Sequence, residues 1–156
     1  MAKTKCGFEP VPGGATGQAL LTYYGPTISV DIGFDPNHKP DAAGVWTMPV
    51  PGISGVIALV DTGAAECCID SLLATQLNLP IVDKRPVSGS AGSHEANIHL
   101  AQIYVPVLNH TITGRFAAVH LAAGGQVHKA LIGRTFLQNF TMTYEGRTGT
   151  VILSSD

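Results

Sequence analysis

A mostly β fold is what this sequence predicts, and three observations predict it. Ile28, Val30, Ile32 and Phe34 alternate with Ser29, Asp31 and Gly33, the period of a strand with one buried face. Val56-Ile57-Ala58-Leu59-Val60 is a continuous apolar run of strand length. Beyond it, short apolar segments recur between clusters of Gly, Pro, Asn, Asp and Ser, the residues that build turns.

Taken in order, the first 26 residues hold Pro10, Pro12, Gly13, Gly14, Gly17, Gly25 and Pro26. That density of chain breakers predicts an arm over 1–26 rather than a packed element, with one domain over 27–156. Thr27 to Phe34 is the first strand. Residues 35–55 return to turn chemistry around the lone Trp46, predicting a long loop or loose hairpin. The apolar run 56–60 predicts a strand buried on both faces that stops at Asp61-Thr62-Gly63. Asp70 caps a short helix through Leu72, Leu73, Ala74 and Leu77, which Pro80 closes. Ser88-Gly89-Ser90-Ala91-Gly92-Ser93 is small and flexible and leads into a strand from Ala96 to Val107, the order of a mobile hairpin. Strands follow at Thr111 to His120 and Ala130 to Ile132, then a short helix from Thr135 to Asn139. Thr141 to Tyr144 and Thr150 to Leu153 close the chain around a turn at Glu145-Gly146-Arg147.

A chain of 156 residues can bury a core without metal or disulfide staples. Charged residues are 13% of it, about half of the ~25% usual in soluble domains, which predicts that a partner covers part of the surface. A net charge of -2 with no Lys/Arg cluster argues against nucleic acid and against an anionic membrane. Met1-Ala2-Lys3-Thr4-Lys5 is not followed by an apolar h-region, and no stretch has the length of a membrane span, so a soluble cytoplasmic protein is expected. Three cysteines, two of them the adjacent Cys67-Cys68, do not make a disulfide framework. His38, His94, His99, His110, His120 and His128 lack metal-ligand spacing, so neither metal nor cofactor is expected.

The chemistry is expected at Asp61-Thr62-Gly63. Two carboxylates that share one proton can hydrolyse a peptide bond without a metal: the ionised one takes a proton from water while the protonated one polarises the carbonyl. Each must be held in a tight turn. Asp61 supplies an acid at a strand end, Thr62 a hydroxyl able to bond across an interface, and Gly63 room for a substrate backbone. The chain has one such tripeptide, so a complete pair requires a two-fold homodimer with one Asp61 from each copy.

Ala58-Leu59-Val60-Asp61-Thr62-Gly63-Ala64 resembles the catalytic motif of the retropepsin-like aspartic proteases, which include the retroviral enzymes and the domain carried by DNA-damage-inducible ubiquitin-shuttle proteins. Ile69 to Pro80 is similar to the helix after that motif in cellular and bacterial-type members. Ser88, Gly89, Ser90, Ala91 and Gly92 resemble the flap, with His99-Leu100-Ala101-Gln102-Ile103 as the strand beyond it. Ala130-Leu131-Ile132-Gly133-Arg134 resembles the second signature, whose strand runs beside the catalytic turn. The likeness spans roughly residues 27–153. It implies a closed-barrel acid-protease half-fold with one or two short helices, a homodimer, and aspartic endopeptidase activity on peptide or protein substrates. It assigns Asp61 as catalytic, with Thr62, Gly63 and Ala64 as the turn that meets the substrate backbone. Ala65 stands where viral members carry an acid that pairs with the signature Arg, so Arg134 needs another partner.

Each feature has a plainer alternative. Asp-Thr-Gly alone is a common turn, and Gly89 and Gly92 alone make a surface loop. Arg134, beginning a helix, reads as scaffold for Ile132 and Gly133 rather than as a substrate contact. Cys67 and Cys68 read as core packing, with oxidation sensitivity second. Trp46 is either a loop anchor or an interface residue. Among functions, the alternative to a protease is a catalytically silent dimer of the same fold that holds peptides or partners; a structural protein rests on the low charge content alone.

Overall fold

The computed structural model describes residues 2–89 and 92–155. The alternating segment forms β2 (Thr27–Gly33), whose Ile28, Val30 and Ile32 are buried in the core. The apolar run extends backwards into β3 (Gly52–Val60), so the long loop or loose hairpin expected over 35–55 stops at Pro51. Cys68–Asp70 is β4, followed by helix α2 (Ser71–Gln76) with Asp70 as its cap. A long hairpin, β5 (Ile81–Gly89) and β6 (Gly92–Val105), leads through a 3-10 turn at Pro106–Leu108 into β7 (His110–Val119). The chain ends with β8 (Ala130–Ile132), α3 (Arg134–Leu137), β9 (Thr141–Glu145) and β10 (Thr150–Ser154).

Six strands close into a barrel in the order β2-β3-β8-β4-β7-β6, with β6 returning to β2 and β5 hanging from β6. Closure takes place on β2, which pairs with β3 along Thr27–Val30 and again at Ile32 and Gly33, and with β6 along Asp31–Gly33. The register shift between Val30 and Ile32 is an irregularity in the β2–β3 ladder at Asp31, the residue where pairing with β6 begins. β3 runs parallel to β8 and β4 parallel to β7; the other pairings in the barrel are antiparallel. Val30, Ile32, Ala58, Val60, Ile69, Ala101, Ile103, Ala130 and Ile132 fill the interior. The fold is the predicted one, mostly β with a closed barrel and short helices.

Three expectations are corrected. The segment expected to be an unpacked arm contributes β1 (Lys3–Lys5) and helix α1 (Gly17–Tyr24). β1 pairs with β10, which pairs with β9, and Cys6 and Leu21 are buried in the same core as the barrel. α1 also makes a third helix where one or two were expected. β3 is not buried on both faces: Ala58 and Val60 point inward while Ile57 is 48% exposed, because a barrel strand has one interior face.

The loop before β3 is pinned to the barrel by its backbone. Tyr104 Oη donates to the Trp46 carbonyl at 2.9 Å, Trp46 N donates to Asn109 Oδ1, and the indole lies 5.0 Å from the His38 ring. Among the described residues no helix is long and apolar enough to cross a membrane, and no three metal-ligating side chains cluster.

Candidate functional site

Strand β3 ends between two neighbours. Val60 N donates to the Pro26 carbonyl at 2.8 Å and Asp61 N to the Ile132 carbonyl at 2.9 Å, which fixes where the chain leaves the sheet. Having left it, the chain turns at once. Gly63 N donates to Asp61 Oδ1 at 2.9 Å and Ala64 N to the Asp61 carbonyl at 3.2 Å, so the half-buried carboxylate is oriented by its own turn. Thr62 and Gly63 are exposed on the single chain.

The second segment is knitted to this turn from the other side. Arg134 N donates to the Ala64 carbonyl at 2.9 Å and Thr135 N to the Ala65 carbonyl at 3.0 Å. Arg134 Nη1 donates to the Thr62 carbonyl at 2.7 Å, a charge-assisted bond to the turn itself. With Ala65 unable to pair with it, the guanidinium here takes a backbone oxygen. Gly133 is closely packed: a Cβ there would lie 2.5 Å from the Glu66 carbonyl oxygen and 2.9 Å from that of Ala64. Ile132, Gly133 and Arg134 therefore lie against Asp61, Thr62 and Ala64, although some seventy positions separate them in the chain.

Cys67 also joins the two segments. Its buried Sγ accepts a hydrogen bond from Gly133 N at 3.3 Å and lies 3.9 Å from Thr135 Oγ1. Sequence reasoning assigned Cys67 to packing first and oxidation sensitivity second, and no local pattern marks it as an acceptor for a glycine so far along the chain. Burial pushes its thiol up. Cys68 is pushed up to about 11, first by burial and then by the charges of Cys67, Glu66 and Asp61. Both are thiols at neutral pH, and neither has the lowered pKa of a cysteine nucleophile.

The segment expected to be a flap is the end of the β5–β6 hairpin. Ser88 pairs with Ser93 and Gly89 with Gly92, whose φ of 105° places it where side chains rarely fit. Ser90 and Ala91, named with them in the sequence, lie outside the described residues. The stem of the hairpin is long and largely exposed. Its pairing with β7 begins only at Ile98, so residues 92–97 pair with β5 alone.

No protein-family model matches the chain, and no curated protein matches it by sequence. Among solved structures it is similar to EIAV protease complexed with the inhibitor HBY-793. The identity is 18% and the TM-score 0.46, over 72% of this chain and 85% of that one.

Proposed function

We propose that the chain is one subunit of an aspartic endopeptidase of the retropepsin type, with Asp61 as its catalytic carboxylate and a second copy supplying the other. One observation carries this reading. A half-buried carboxylate sits at the end of a barrel strand, in a turn held by Gly63 N and clamped from behind by Gly133 and Arg134. A surface turn with no task does not need an arginine, a buried thiol and a tightly packed glycine to hold it still.

In the reaction, two Asp61 carboxylates hold one proton between them, since like charges a few ångströms apart resist joint ionisation. The ionised partner takes a proton from water as the water oxygen bonds to the scissile carbonyl carbon, and the protonated one donates to the carbonyl oxygen. The proton taken from water passes to the nitrogen as the C–N bond breaks and the carbonyl re-forms, returning its proton to the pair. Thr62, Gly63 and Ala64 face the substrate backbone, and the hairpin through Gly89 and Gly92 covers an extended peptide as a flap. No cofactor or metal enters this scheme.

The test is cleavage of a peptide library by the purified protein and by its Asp61→Asn variant. The amide is nearly isosteric but is not a base, so hydrolysis is expected to vanish with the fold retained. Wild-type turnover in the variant would end the aspartic reading. If neither protein cleaves and both bind peptides equally, the silent binding module takes its place.

A further inference from the structure

The stem of the hairpin meets the barrel through two histidines. His94 on β6 and His120, just past the end of β7, stack with ring centroids 4.9 Å apart and planes 23° apart. His94 lies four residues beyond Ile98, where pairing of β6 with β7 begins, so the stack joins stem and barrel at a point where the backbone ladder has ended. His120 Nδ1 is 2.9 Å from Ser71 Oγ at the start of α2, which fixes that ring to the barrel side. His94 Nε2 is buried and has no hydrogen-bond partner.

We propose that the His94–His120 stack is a pH-sensitive joint, which docks the hairpin stem on the barrel while at most one ring is charged and releases it when both are. Neutral rings, or one cation over a neutral ring, attract one another. Two imidazolium rings at this spacing repel, and the buried Nε2 of His94 offers a proton no acceptor. The bond to Ser71 survives either state, because a hydroxyl both donates and accepts. Protonation therefore opposes docking, undocking takes up protons, and falling pH favours the undocked stem.

The surrounding groups leave the repulsion uncompensated. Val87 is paired directly with His94 on β5, and Arg85, on the same face, is held by Asp83 with Nε to Oδ2 at 3.1 Å. Glu95, next to His94 on β6, points to the opposite face by strand alternation. Beside Ser71, the Asp70 carboxylate is taken by Leu73 N, Leu121 N and Ala122 N. Among the described residues neither ring is ion-paired.

The relevance to turnover rests on the aspartic-protease reading; the joint itself does not. Hydrogen exchange is therefore measured in the Asp61→Asn protein, with rates divided by the intrinsic rate at each pH. Between about pH 7.5 and 5.5, the stem amides of residues 81–85, 87–88 and 93–97 are expected to gain about tenfold in exchange over those of β2 and β3. His94→Phe and His120→Phe, which keep an aromatic face without the charge, are expected to flatten that dependence. Protection in β2 and β3 reports whether each variant is folded, and His94→Gln replaces His94→Phe if it is not. A stem that follows β2 and β3 at both pH values overturns the joint, as does the wild-type dependence persisting in the folded variants. Failure of the wild type to cleave peptides would sink the catalytic reading and leave this result untouched.

Discussion

At Gly133 the constraint is space rather than conformation. Its φ of -91° suits any residue, but a Cβ would meet two backbone oxygens, those of Glu66 and Ala64, and the Ala64 oxygen already accepts from Arg134 N. Neither can rotate away as a side chain would. Gly133→Ala is expected to lower stability by roughly 3 kcal/mol, the upper range for overpacking, and to lower turnover by shifting the turn that carries Asp61. Denaturant unfolding checks the first and peptide cleavage the second; an unchanged midpoint would contradict the packing argument. Asp70 marks how far single residues can be read from sequence. Its cap on Leu73 N follows from a local pattern, an acid before an apolar helical run. Its other oxygen accepts from Leu121 N and Ala122 N, about fifty residues away, and nothing local announces that. The same holds for Arg134 Nη1 and the Thr62 carbonyl, which meet only because β3 and β8 run side by side.

Elements with a strong period were legible, and elements made by their partners were not. β2, β8 and α2 carry alternation, an apolar run or a cap, and they lie where the sequence put them. β5 carries Asp83, Lys84, Arg85 and Pro86 in mid-strand and is a strand because β6 pairs with it along nearly its whole length. β4 is three residues held between β7 and β8. The amino-terminal segment misled for a different reason: its glycines permit close approach as well as turns. A Cβ on Gly17 would lie 2.5 Å from the Thr148 oxygen and 2.6 Å from that of Phe8, so this glycine lets α1 settle on its neighbours. The Thr16 side chain accepts from Ala19 N and Gly25 ends the helix at a φ of 72°, two boundary signals that were present in the sequence. Leu21, 2% exposed, is the helix's anchor in the core. Leu21→Ala is therefore expected to destabilise the protein by about 3 kcal/mol. An unfolding midpoint within error of wild type would restore the arm reading.

For the whole molecule the governing count is one. The proposed reaction needs two carboxylates, the chain supplies one Asp-Thr-Gly, and in the single chain Thr62 and Gly63 are exposed beside the half-buried Asp61. The same fold that clamps the turn from behind through Gly133 and Arg134 leaves its front bare. A second copy related by a two-fold axis would bring the same surface against itself, covering both turns and bringing both acids together. Activity then belongs to an assembly whose population depends on concentration. Well above the dimer dissociation constant, the rate should rise in proportion to protein; well below it, as the square, because each subunit must find another. Specific activity should consequently fall on dilution over the range in which sedimentation shows the dimer giving way to monomer. Mixing wild type with excess Asp61→Asn protein should suppress activity further, since mixed pairs hold one acid and one amide and lack the shared proton. Specific activity that stays constant down to fully monomeric protein would place the complete site within one chain and refute the paired-carboxylate proposal.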